Sequence, residues 1–183
     1  GKGMSSTASG SMGTHPALVQ ALSRSPQRQV KAGWVLFHGC VDSSQDTDLQ
    51  GKRLLGARKW LSEDAEYAVS YAYCNGAGAP LLWQCRLAVD ATAFIARQPT
   101  LFEFAPWGTA SPWEFPSAFE RHAKAALQLD SSVIFLDHLQ NDGRFREVLV
   151  PSPAANLIVE KIHRLPAGKQ EAEAFAREIL LGG

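Results

Sequence analysis

At 183 residues the chain is long enough for one domain with a loose extension, and too short for several. Hydrophobic residues make up 45% and charged residues 20%, a balance that excludes a wholly disordered chain. The formal net charge is zero, so no global field draws the protein to nucleic acid or to an anionic membrane.

Residues 1–13 are rich in Gly, Ser and Thr around Met4, and are expected to be a flexible linker or an expression remnant. Residues 14–183 are then expected to form a single domain. Thr14 and Pro16 start a helix over residues 15–22. Gly33 precedes a short buried strand over 34–37 that ends at His38-Gly39. The polar stretch 42–55 reads as a loop. Ser62 is placed to cap a helix over 63–74, with Glu63 and Asp64 matching its positive end and Asn75-Gly76 terminating it. Residues 81–89 read as a strand and the proline-rich stretch 97–116 as an irregular loop. Ser117 and Glu120 form a capping box for a helix through Leu129.

Two strands follow, at 132–136 and 145–150, joined by a turn containing Asn141-Asp142-Gly143. A strand over 157–162 precedes a closing helix over 170–181, with Ala172, Phe175, Ala176 and Ile179 on one face. This order gives an α+β class with sheet-on-sheet packing. No apolar run is long enough to cross a bilayer, and no secretory signal opens the sequence. Cys40, Cys74 and Cys85 are odd in number and lack metal-ligand spacing, so free buried thiols are expected, with a single disulfide as the alternative.

Four places invite a chemical reading beside a packing one. His38-Gly39 follows a buried strand, where the absence of a side chain lets backbone groups approach a planar ligand; His38 can equally be a structural hydrogen-bonder. Trp60 lies just before the helix, and Tyr71 lies eleven positions later in its third turn, so the pair can sandwich a flat heteroaromatic cation or simply fill the core. Tyr67 and Tyr73 compete for that role at a less apt spacing from Trp60. Glu147 sits in the apolar run Arg-Glu-Val-Leu-Val. Either it is a carboxylate buried for a purpose, or it faces outward on an edge strand and pairs with Arg144 or Arg146. Finally, Lys52, Arg53, Arg58 and Lys59 can meet a diphosphate or belong to a solvated loop.

Taken in order, LFHG (36–39), WLSEDAEYAVSYAY (60–73), SVIF (132–135) and REVLVPSPAANLIV (146–159) resemble the diphtheria-toxin-like and poly-ADP-ribose-polymerase-like branch of the ADP-ribosyltransferases. That branch carries a His, an aromatic and a Glu on successive elements of a split β-sheet. Three positions depart from its pattern. Trp60 stands where tyrosine is usual, Ala68 where some members have serine, and Phe145 where the arginine-modifying branch has Glu or Gln.

The resemblance implies NAD⁺ as co-substrate and no metal. It implies that Glu147 binds the 2′-hydroxyl of the nicotinamide ribose and stabilises an oxocarbenium-like transition state, and that His38 holds the adenosine ribose. It further implies that Gly39 meets the carboxamide, that Trp60 and Tyr71 flank the ring, and that Ser62 belongs to the NAD⁺-binding set. The activity implied is mono-ADP-ribosylation of a macromolecular acceptor, protein or nucleic acid, by a bacterial toxin or effector domain. Such a domain would act in the cytoplasm of the producing or target cell, after delivery by a specialised secretion system. A neutralising immunity or antitoxin protein is expected as partner, and no membrane. An NAD⁺ glycohydrolase needs the same pocket, and a non-catalytic NAD⁺- or ADP-ribose-binding module stands as a reading of another class. An RNA 2′-phosphotransferase is disfavoured, because that family does not use the His–aromatic–Glu set.

Overall fold

The computed structural model describes residues 27–73, 78–95, 134–136 and 143–182. The linker over 1–13, the helices expected over 15–22 and 117–129, the loop over 97–116 and Cys74 lie outside them.

Ten strands are described: β1 (Gln27–Val30), β2 (Val35–Val41), β3 (Thr47–Asp48), β4 (Arg53–Leu54), β5 (Arg58–Leu61), β6 (Pro80–Leu87), β7 (Ala91–Ile95), β8 (Ile134–Leu136), β9 (Val148–Pro151) and β10 (Leu157–Arg164). They form a five-stranded sheet ordered β1-β7-β8-β9-β5, a three-stranded sheet ordered β10-β6-β2, and a small β3-β4 ribbon. Pairing is antiparallel except between β7 and β8. The helices are α1 (Ala65–Tyr71), α2 (Pro153–Asn156) and α3 (Lys169–Gly182). The class is α+β, as expected.

Strand period explains the layering. Along β6, Leu81, Trp83, Cys85 and Leu87 point one way and join Leu61, Ala93, Val148 and Val150 of the larger sheet in one core. Leu82 points the other way and joins Phe37, Ala65, Ala68, Val69, Ala172 and Ala176 beneath α1 and α3. The smaller sheet is thus covered on both faces, by the larger sheet and by two helices. Strand β9 runs between β8 and β5 and is buried at every residue, which is why its sequence is almost wholly apolar.

The two sheets meet along one line. Phe37 of β2 and Ser62, just after β5, exchange backbone hydrogen bonds of 2.8 Å in each direction. That bridge lays the end of β5 beside the middle of β2.

Several boundaries differ from expectation. Strand β2 runs through His38 and Gly39 instead of ending there. The stretch 42–55 contains the β3–β4 ribbon. Asp64, not Ser62, caps α1: its carboxylate accepts from the backbone N–H groups of Glu66 and Tyr67. The Ser62 backbone is committed to the bridge with Phe37, and its hydroxyl oxygen accepts from Asp64 N at 3.0 Å, so the helix starts later. Helix α3 buries Ala172 and Ala176, flanked by half-buried Phe175 and Ile179, the face expected. Among the described cysteines, Cys40 and Cys85 are free thiols; burial pushes them up to about 11 and about 12, so neither is a thiolate at neutral pH.

Candidate active site

A cavity of about 670 Å³ opens where β2, β5 and α1 converge, in the size range of small-molecule sites. His38 and Gly39 from β2, Trp60 from β5, Ser62 after it, Tyr71 from α1 and Glu147 before β9 all line it. The four side chains singled out from the sequence therefore reach one cavity from four separate elements.

Local chemistry puts each of them there. Helix α1 lies close on β2 because Gly39 has no side chain: a Cβ at that position would stand 1.9 Å from the Ala68 carbonyl oxygen. The glycine at 39 thus makes room for the helix. The Glu147 segment is clipped to the start of α1 by Glu63, whose N–H donates to Phe145 O at 2.8 Å and whose Oε2 accepts from Phe145 N at 2.9 Å. Trp34 Nε1 donates to the other oxygen of Glu63 at 3.1 Å. Phe145 is itself fully buried, so this clip is anchored in the core.

His38 Nδ1 donates to the Trp60 carbonyl at 2.8 Å, which assigns the ring proton to Nδ1 and leaves Nε2 as an acceptor. Burial pushes the His38 pKa down to about 4; the bond to Trp60 opposes this and the charge of Lys59 adds to it. At neutral pH His38 is therefore an uncharged acceptor, suited to a hydroxyl group.

Glu147 Oε1 accepts from Tyr71 Oη at 2.8 Å and also from Tyr67 Oη. The two phenol oxygens lie 2.8 Å apart, and the rings meet edge to face at 5.5 Å. Glu147 is neither deeply buried nor a plain surface residue, and tyrosines are its partners in the site. The arginine beside it bonds elsewhere: Arg146 Nε reaches Asp64 Oδ2 at 3.4 Å, and its guanidinium lies 5.5 Å from the Tyr67 ring centroid.

The basic set divides. Arg58 and Lys59 line the cavity, whereas Arg53 pairs with Asp48 on the β3–β4 ribbon at 2.9 Å. Lys59 is buried and bonds both the carboxylate and the carbonyl of Asp46, tying the 42–55 segment to the cavity wall. Hydrogen bonds from Lys59 and Ser44, with the Lys59 charge, outweigh burial and hold the Asp46 carboxyl below the usual range.

Of the competing tyrosines, Tyr73 points away and donates to Pro166 O. Tyr67 lines the cavity after all. Its distance from Trp60 concealed this, but it lies one helical turn before Tyr71 on the same face of α1. Residues 91–95 form β7 and Arg146 lines the cavity, whereas 96–116 and 140–142 lie outside the described residues.

No protein-family model matches the chain, and no curated protein matches it. Among solved structures, a chain of the M. tuberculosis MbcT–MbcA toxin–antitoxin complex superposes with a TM-score of 0.51. The match covers 87% of this chain and 98% of that one at 17% identity, and shows a shared fold.

Proposed function

We propose that the protein cleaves the nicotinamide–ribose bond of NAD⁺ and transfers ADP-ribose to a macromolecular acceptor, as a toxin. The observation that carries this reading is the convergence of His38, Trp60, Tyr71 and Glu147 in one cavity from four separate elements.

The chemistry follows from what the bond needs. Nicotinamide leaves as a neutral base with the electron pair of the C1′–N bond, and positive charge develops on the ribose. A fixed carboxylate beside that ribose stabilises the charge by roughly a few kcal/mol. Glu147 has this role, with Oε1 held by the phenols. Trp60 and Tyr71 supply aromatic faces for the cationic ring. Neutral His38 accepts from a hydroxyl of the distal ribose through Nε2, because its Nδ1 proton is spent on Trp60. Arg58 lines the same cavity and brings positive charge toward the diphosphate, while the Lys59 charge is already met by Asp46. A module that only bound NAD⁺ would have no need of a carboxylate held in this way.

The toxin role draws on the fold shared with a chain of a toxin–antitoxin complex. A neutralising partner protein belongs to the same reading. The test is to incubate the protein with labelled NAD⁺ and a cell lysate, then digest separately with protease and with nuclease. Label lost with one of the two identifies the acceptor class. Release of free ADP-ribose and nicotinamide with no labelled macromolecule would replace the transferase by a glycohydrolase, and intact NAD⁺ would refute both.

A further inference from the structure

The reading above gives Tyr67 no contact with NAD⁺, and its part lies in its bond to Glu147. Its hydroxyl donates to Glu147 Oε1, and the Tyr71 hydroxyl donates to the same oxygen at 2.8 Å. Two phenol protons are thus directed at Oε1 and, among the described residues, none at Oε2. Each phenol has one proton, so with both given to Oε1 the 2.8 Å contact between the phenol oxygens carries none.

The ring of Tyr67 is held from two sides. Tyr71 meets it edge-on at 5.5 Å, and the Arg146 guanidinium lies 5.5 Å from its centroid. Asp64 holds both neighbours of the contact, accepting from Tyr67 N at 3.3 Å through Oδ1 and from Arg146 Nε at 3.4 Å through Oδ2. One N-cap carboxylate therefore registers the helix that carries the phenol against the segment that carries Glu147. The titration of Tyr67 follows the same geometry: burial first, then the bonds to Glu147 and Tyr71, raise its pKa above the ordinary tyrosine range. At neutral pH it is therefore protonated and a donor.

We infer that Tyr67 is a positioning residue for NAD⁺ cleavage, tying down Glu147 Oε1 so that Oε2 is presented to the nicotinamide ribose. The inference rests on the assignment of Glu147 to the scissile bond. Tyr67 touches the carboxylate, and acts on the reaction only through it. Tyr71 shares the bond but also offers its ring to the ligand, so its loss should affect binding as well.

The test is a double-mutant cycle in the full chain, with nicotinamide release and NAD⁺ affinity measured on Tyr67→Phe, Glu147→Gln and the double variant, each checked by circular dichroism. Tyr67→Phe should lower kcat by about ten- to a hundred-fold, the scale of one hydrogen bond to a charged group, and leave affinity nearly unchanged. On top of Glu147→Gln it should cost almost nothing, because its effect runs through that carboxylate. Equal losses in both backgrounds would overturn the inference, as would a parent-like kcat.

Phenolate absorbance followed to alkaline pH gives a readout independent of NAD⁺. The Tyr67 contribution, identified by its absence in Tyr67→Phe, should ionise at lower pH in Glu147→Gln than in the parent. No such movement would remove the Tyr67–Glu147 bond itself. If the movement is seen but the parent does not cleave NAD⁺, the fault lies with the proposed reaction, and the role of Tyr67 in it falls too.

Discussion

The close approach of α1 to β2 decides whether the cavity exists, and Gly39→Ala is the perturbation that tests it. The new Cβ would lie 1.9 Å from Ala68 O, 2.9 Å from its carbonyl carbon and 3.3 Å from Ala72 N. The obstacles are backbone atoms of a hydrogen-bonded helix, so no side-chain rotation relieves them. Restoring ordinary separation requires a displacement of about 1.5 Å. Overpacking of a filled interior usually costs about 1–3 kcal/mol, and a backbone obstacle puts this case near the top, at about 3 kcal/mol. For a chain of this size that lowers Tm by roughly 6–12 °C. The same displacement carries Tyr67 and Tyr71 away from His38 and Glu147, and a misplacement of about 1 Å can cost about 10²-fold in rate.

Gly33→Ala is the control, since nothing lies within 4 Å of its Cβ site and its φ of +96° alone makes the change costly, by about 1–2 kcal/mol. Thermal unfolding and NAD⁺ affinity should fall together in Gly39→Ala, whereas Gly33→Ala should lose stability alone. A Gly39→Ala protein with the parent's Tm and affinity would refute the packing argument.

Three further outcomes are expected. Trp60→Ala should weaken NAD⁺ binding by about ten-fold and remove much of the quenching of tryptophan fluorescence by NAD⁺, the effect of losing one stacking face. His38 carries a proton below about pH 6.5 when unfolded but only below about 4 when folded, so the unfolded state binds more protons in between. Stability should therefore decline as the pH falls through that window, by about 3 kcal/mol in all, and His38→Asn should flatten the decline in urea titrations. Asp46→Ala should destabilise more than Lys59→Met in the same assay, by about 1–2 kcal/mol, because it strands a buried ammonium whereas the methionine removes the charge altogether.

The sequence disclosed what apolar pattern and motif control. Residues 34–37, 81–89 and 157–162 read as strands because each is a short apolar run, and the face of α3 follows from Ala172, Phe175, Ala176 and Ile179. Strand β1 escaped notice because it pairs at a sheet edge with three of its four residues exposed, so Gln27, Arg28 and Gln29 carry no burial signal. Strand β7 (Ala91–Ile95) lies between the strand read at 81–89 and the loop read at 97–116 and was assigned to neither. Ser62 was a sound cap by residue type, but a backbone bridge to a residue far away in sequence took precedence over the local preference.

At the site, His38, Trp60, Tyr71 and Glu147 were legible as a spaced set. Their actual connections were not. That Glu147 is held by two phenols, and that Gly39 admits a helix, depend on how the sheets meet along the Phe37–Ser62 line. No periodicity in the chain encodes that juxtaposition.

The central claim is that Glu147 acts on the transition state of NAD⁺ cleavage. Glu147→Gln keeps the shape and much of the hydrogen bonding but removes the charge, so interactions made chiefly in the transition state should be lost while ground-state binding survives. The measurement is the rate of nicotinamide release beside NAD⁺ affinity, on parent and variant shown to be equally folded. The account predicts a fall in release of roughly a hundred-fold or more, with affinity changed by less than about five-fold. Release at the parent's rate from the folded variant would contradict it, and would make the carboxylate beneath Tyr67 and Tyr71 a structural group.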